Sequence, residues 1–128
     1  MQLEGIHHIA LNVCDLSRAE QFYVEVLGFK VVKRFSKGLR HLMLGVGSSY
    51  IALFEVPHLA ITSVEILSET GYMHFAFKVE YGQFLLAVEK FRDKNINIGD
   101  GPVRRGGGDS VCFQDSDGNH LEIHCDDK

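Results

Sequence analysis

Two stretches of this chain are versions of one another, and that repetition restricts the fold more than any other feature. GIHHIALNV occupies residues 5–13 and GYMHFAFKV residues 71–79. Each has a glycine, a histidine three residues on, and an apolar run closing on valine. His8 aligns with His74. Repetition of this kind marks one supersecondary unit used twice. The segments after the two copies also match. LSRAEQFYVEVLG reads as a helix, with Ser17 and Glu20 spaced as a capping box, Ala19, Phe22 and Val26 at helical spacing, and Gly28 as its stop. In the second half YGQFLLAVEKFRDKN puts Phe84, Val88 and Phe91 on one helical face. Short strand-like runs come next: FKVVKRF, RHLMLGV and YIALFEV in the first half, then INIG, DSVCFQD and HLEIHCD in the second.

The expected fold is therefore α+β, with two tandem βαβββ modules in a single domain spanning 1–128. Module 1 covers about 4–56, a linker 57–70, and module 2 about 71–126. At 128 residues one domain is also the ordinary expectation. The net charge of −4 argues against nucleic acid as a partner. Three cysteines, Cys14, Cys112 and Cys125, make an odd number with no CxxC spacing. They predict a reducing, cytoplasmic setting rather than a disulfide framework. No signal-like N-terminus or membrane-length apolar run is present, so no membrane partner is expected.

Strand parity then sorts the side chains, because neighbours on a strand point to opposite faces. In HHIALNV, Ile9, Leu11 and Val13 share a face with His7, while His8, Ala10 and Asn12 share the other. In MHFAFKV the split is Phe75 and Phe77 against His74, Ala76 and Lys78. In HLEIHCD, Leu121 and Ile123 oppose Glu122 and His124. The apolar faces must pack on the helices. If the remaining faces of the two curved sheets surround a cavity, His8, His74 and Glu122 point into it. Two neutral imidazoles and a carboxylate form a set suited to a divalent metal, with positions left for substrate. The repeat also defines a fourth corner. Aligning YIALFEV with HLEIHCD sets Ala52 against Glu122, so that corner lacks a ligand. Glu55 is near in sequence but shares parity with Ile51 and Leu53, which directs it to the helix side or the sheet's end unless a bulge intervenes; whether it replaces the missing fourth ligand stays open.

GIHHIALNVCDLSRAEQFYVEVLGFKVV resembles the opening of the vicinal oxygen chelate superfamily, and FQDSDGNHLEIH is similar to its closing motif, a D-x-D-G turn leading into a strand with a ligand Glu. The similarity spans about residues 4–125. The superfamily includes glyoxalase I, fosfomycin-resistance transferases, extradiol dioxygenases, methylmalonyl-CoA epimerase and bleomycin-binding proteins. The resemblance implies paired βαβββ modules around a metal-binding cavity, a homodimer, and metal ligands His8, His74 and Glu122. The metal would be Mn, Ni, Zn or Fe(II).

Within the superfamily, GPVRRGGGDSVCFQDSDG is similar to the matching stretch of bacterial glyoxalase I, but that enzyme supplies a fourth ligand where Ala52 stands. Fosfomycin-resistance enzymes use three ligands and share the LEIH ending. They carry a Thr where this chain has Ala10, and a substrate-binding Arg beyond the last ligand that is lacking here, so a fosfomycin substrate is not expected. Extradiol dioxygenases share the two-His, one-carboxylate set, with His41, Tyr72 or His124 open as the acid–base residue. Metal-dependent isomerase or lyase chemistry is the favoured expectation, with Glu122 as both ligand and catalytic base. A dioxygenase and a non-catalytic bleomycin-type binder are the alternatives. Substrate contacts are expected from His41, Phe54, Arg104 and Arg105. GGG, residues 106–108, is expected to be a flexible flap.

Overall fold

The computed structural model describes residues 1–58, 74–99 and 101–128. Most of the expected linker, and Tyr72, lie outside these residues. The chain divides into two compact units, Met1–Ala60 and Ile61–Lys128. The first contains β1 (His8–Val13), α1 (Leu16–Gln21) running into a π-helical turn (Phe22–Val26), then β2 (Lys30–Phe35), β3 (His41–Val46) and β4 (Ser49–Glu55). The second contains β5 (His74–Lys78), α2 (Tyr81–Asp93), β6 (Val103–Arg105), β7 (Gly108–Gln114) and β8 (His120–Asp126). Sheet order is β1-β4-β3-β2 in one unit and β5-β8-β7-β6 in the other. In each, the first strand runs parallel to the last and the other neighbours are antiparallel. The repeat read from the sequence is thus a repeat of topology, βαβββ twice.

The first helix starts differently from the capping-box expectation. Asp15, not Ser17, is the N-cap: its backbone is extended and its carboxylate accepts from Arg18 N–H at 3.0 Å. Glu55 accepts from Leu16 N–H at 2.9 Å. Two carboxylates therefore satisfy donors that a helix start leaves open, and Ser17 sits inside the first turn. Leu16, Ala19, Phe22 and Tyr23 are buried. Gly28, at φ +76, ends the segment as expected, in a conformation that disfavours a β-carbon. In the second unit Phe84, Val88 and Phe91 are all buried, and the Phe91 ring lies 4.4 Å from that of Phe113.

Two expectations for the second unit are corrected. INIG does not form the edge strand; only Ile98 makes an isolated bridge, to Phe113. The edge is β6, which leads directly into the glycines expected to be a flexible flap. Gly106 and Gly107 both have positive φ, +59 and +76. That is the backbone a two-residue hairpin of the I′ kind demands, and glycine adopts it without steric cost. The glycines thus build a tight hairpin between Arg105 and Gly108, which are register partners. Among the described residues no helix is long and apolar enough to cross a membrane.

Candidate metal centre

The second unit's site is built by a turn and the strand it launches. Asp115 is buried, and its carboxylate accepts from the backbone N–H groups of Asp117 (2.8 Å) and Asn119 (2.9 Å) and from the Asn119 amide (2.9 Å). Gly118 takes φ +84 to close the loop. This D-S-D-G-N turn fixes where β8 begins, and so which residues of β8 face which way. Register pairs His74 with His120, Ala76 with Glu122 and Lys78 with His124. Across β7, Cys112 pairs with Glu122 and Ser110 with His124. Directly paired residues share a face. One face therefore carries His74, His120, Glu122, His124, Ser110 and Cys112, and the other carries Phe75, Phe77, Leu121, Ile123 and Phe113 toward α2.

On the polar face His74 Nε2 lies 3.2 Å from Glu122 Oε2. The glutamate side chain is only 8% exposed and the histidine 38%. A nearly buried carboxylate requires a partner, and the imidazole supplies one. Their separation also suits two neighbouring ligands of a single first-row ion, each about 2.0–2.2 Å from it. The donor set therefore fits a divalent metal. Among the described residues, no group of three or more His, Cys, Asp or Glu side chains is gathered closely enough to hold a metal ion; the pair His74–Glu122 is what the structure brings together.

His120, two residues before Glu122, is a site neighbour that the sequence motifs do not single out, although strand parity alone puts it on that face. Burial holds its imidazole below the ordinary histidine value; nearby His74 adds to this and Asp115 opposes it. His124 is engaged through both ring nitrogens. Ser110 Oγ lies 2.8 Å from Nδ1, Asp126 accepts at 3.1 Å from Nε2, and Lys78 completes the chain at 2.5 Å from Asp126. An acid–base role for His124 would require this chain to open.

The two loop arginines separate. Arg105 pairs with Gly108 and so shares the face of Glu122; its Nη1 lies 3.6 Å from Cys112 Sγ. Arg104 pairs with Asp109 on the opposite face. Its guanidinium makes two bonds of 2.6 Å to Asp127 and one of 3.2 Å to Asp109. Of the two arginines expected to contact substrate, Arg105 lies on the face of Glu122 and Arg104 on the opposite one.

In the first unit register sets Ala10 against Ala52 and His8 against Tyr50. These are the counterparts of Ala76 against Glu122 and His74 against His120. Ala52 is therefore the repeat-equivalent of Glu122, as read from the sequence. Glu55 belongs to the opposite face, where it holds Leu16 N–H and pairs with Arg40 at 3.4 Å; it does not supply the missing corner. His41 shares the face of His8 and Ala52 through its pairing with Phe54. Its ring lies between Phe35 (4.3 Å) and Phe54 (4.4 Å), nearly parallel to both. Its Nδ1–H donates to the Leu39 carbonyl at 2.8 Å, which leaves Nε2 as an acceptor.

These features define a glyoxalase-type protein, and comparison with known proteins agrees. The family model for the glyoxalase/bleomycin resistance protein/dioxygenase superfamily matches residues 5–123, and the chain belongs to that superfamily. It is 27% identical to the metallothiol transferase FosB of Staphylococcus saprophyticus, over 95% of this chain and 77% of the relative. A glyoxalase/dioxygenase from Nostoc punctiforme superposes with a TM-score of 0.79 at 28% identity, over 98% of this chain and 92% of that one. The fold is shared too by the fosfomycin resistance protein FosX of Listeria monocytogenes, solved as a mutant complexed with Mn(II) and 1S,2S-dihydroxypropylphosphonic acid. That structure has a TM-score of 0.79 at 20% identity, over 98% of this chain and 95% of that one.

Proposed function

We propose that this protein is a divalent-metal-dependent enzyme that chelates a small substrate through two adjacent oxygens and carries out isomerase- or lyase-type chemistry on it. The ion is held by His8, His74 and Glu122. The observation that carries this reading is the His74–Glu122 pair, 3.2 Å apart with the carboxylate almost wholly buried, in a chain whose repeat sets a second histidine, His8, at the equivalent strand start. When bound, the ion supplies Lewis-acid polarisation of the substrate oxygens. Glu122 takes a proton from the substrate at its carboxylate. His41, its Nδ1–H pinned to the Leu39 carbonyl, accepts a substrate hydroxyl at Nε2, and Phe54 supplies apolar contact. Arg105 clamps an anionic group, as a planar guanidinium does well. A homodimer is part of this reading.

A second reading is thiol transfer to a small oxygen-bearing substrate, after the relative named metallothiol transferase. It is favoured by the three-ligand set that Ala52 imposes. The two readings separate in one experiment. Metal-free protein is reloaded with Mn, Ni, Zn or Fe(II) and offered hemithioacetals, or a phosphonate epoxide with a low-molecular-weight thiol, beside a Glu122→Gln control. Oxygen consumption with catechols tests the dioxygenase alternative. Turnover that needs metal and disappears in Glu122→Gln supports the enzyme; ligand binding with no metal requirement overturns it in favour of a passive binder.

A further inference from the structure

We infer that His7 is a positioning residue for the proposed ligand His8, accepting its Nδ1–H and so fixing the tautomer that offers Nε2 to a metal ion. This rests on the metal-dependent reading above. Adjacent residues within a strand point apart, but His8 is the first residue of β1 and His7 precedes it. The alternation does not bind His7, and its ring turns to meet its neighbour. The two Nδ1 atoms are 2.9 Å apart, and the rings stand edge to face with centroids at 5.2 Å.

Two neutral imidazole nitrogens at that separation share one proton, and either ring can supply it. If His7 supplied it, His8 would accept at Nδ1 and carry its own proton on Nε2. No nitrogen of His8 would then be open to a metal. If His8 supplies it, the lone pair on Nε2 is open, and among the described residues Nε2 has no hydrogen-bond partner. Metal-bound histidines nearly always donate their other ring N–H in this way, and the acceptor sets both ring orientation and ligand basicity.

His7 is itself held. The Tyr50 N–H donates to its carbonyl at 3.1 Å, and the Tyr50 ring lies 5.0 Å from the His7 ring. Tyr50 is also the register partner of His8, so the residue of β4 that holds His7 lies directly beside His8 in the sheet. In the second copy of the repeat, Met73 precedes His74, so no imidazole stands there. The device belongs to the first module.

The test uses the full chain as His7→Ala, His7→Gln and His74→Ala variants beside the wild type, with far-UV circular dichroism confirming that each folds. Long-range nitrogen–proton NMR on metal-free protein reads the His8 tautomer directly. Titration with Mn(II) alone, followed by the electron paramagnetic resonance of the free ion, reads affinity. The wild type is expected to carry the His8 proton on Nδ1. His7→Ala is expected to move it toward Nε2 and to weaken Mn(II) binding by about 10-fold or more. His7→Gln, which keeps an acceptor oxygen, is expected to restore most of both. A wild-type His8 protonated on Nε2 overturns the inference, as does a His7→Ala variant with unchanged tautomer and unchanged affinity. If the wild type binds no Mn(II), the metal-dependent reading falls and takes this inference with it. If Mn(II) binding depends on His74 and not on His7, only the role of His7 is refuted.

Discussion

Gly108→Ala separates two effects that a glycine position usually confounds. Gly108 opens β7 opposite Asp126 of β8, and its φ is not in the left-handed region. Conformational freedom is therefore not its reason. A β-carbon built there collides with the Cys125 carbonyl oxygen and comes within 2.9 Å of the Cys125 carbonyl carbon and 3.0 Å of Asp126 Cα. All three are backbone atoms, so no side-chain rotation relieves them, and the β7–β8 pairing must open locally. Replacing glycine by alanine stiffens the unfolded chain and by itself favours folding by about 0.4–1 kcal/mol. Forcing an extra carbon into a closed site costs about 1–3 kcal/mol. The clash outweighs the stiffening, for a net loss of about 1–2 kcal/mol. For a chain of this size that lowers the melting temperature by roughly 3–8 °C. Thermal and urea unfolding followed by circular dichroism measure it. A variant as stable as the wild type, or more so, would leave only the unfolded-state effect and refute the close-approach argument.

Two further outcomes test local features. Asp15→Ala is expected to destabilise by about 1 kcal/mol in urea, since it removes the cap on Arg18 N–H; equal stability would mean that Glu55 alone secures the helix start. Asp127 is held below its ordinary carboxylate value of 3.8, chiefly by its hydrogen bonds from Arg104. A depressed carboxylate stabilises the fold above its unfolded value and loses that contribution as pH falls through its folded value. Asp127→Asn is therefore expected to be less stable than the wild type near neutrality, with the gap closing below pH 3.8; a gap independent of pH would show that the ion pair is not its source.

The parts of this molecule that were legible in the sequence are those governed by periodicity. A period of two assigned His8, His74 and Glu122 to polar faces, and Glu55 to the helix side. The echo of His8 in His74, and the alignment of YIALFEV with HLEIHCD, set Ala52 at the corner equivalent to Glu122. A helical period gave Phe84, Val88 and Phe91 as the buried stripe of α2. The features that were not legible depend on partners distant in the chain. Arg104 is held by Asp127, 23 residues away, and no local pattern signals that pairing. β6 has three residues and exists because β7 offers it an edge, whereas INIG has the better strand composition and makes only a bridge. The spacing of Ser17 and Glu20 reads as a capping box, but the chain caps the helix with Asp15 together with a carboxylate from β4. The His7–His8 contact escaped parity because His7 lies just outside the strand.

The central claim is that His74 and Glu122 share a metal ion. Anomalous diffraction from crystals of the full chain grown with Mn(II) tests it most directly. The expected result is one strong peak about 2.0–2.3 Å from His74 Nε2 and from a Glu122 carboxylate oxygen, with a His8 imidazole completing the set. A map with no peak between His74 and Glu122 would contradict the claim.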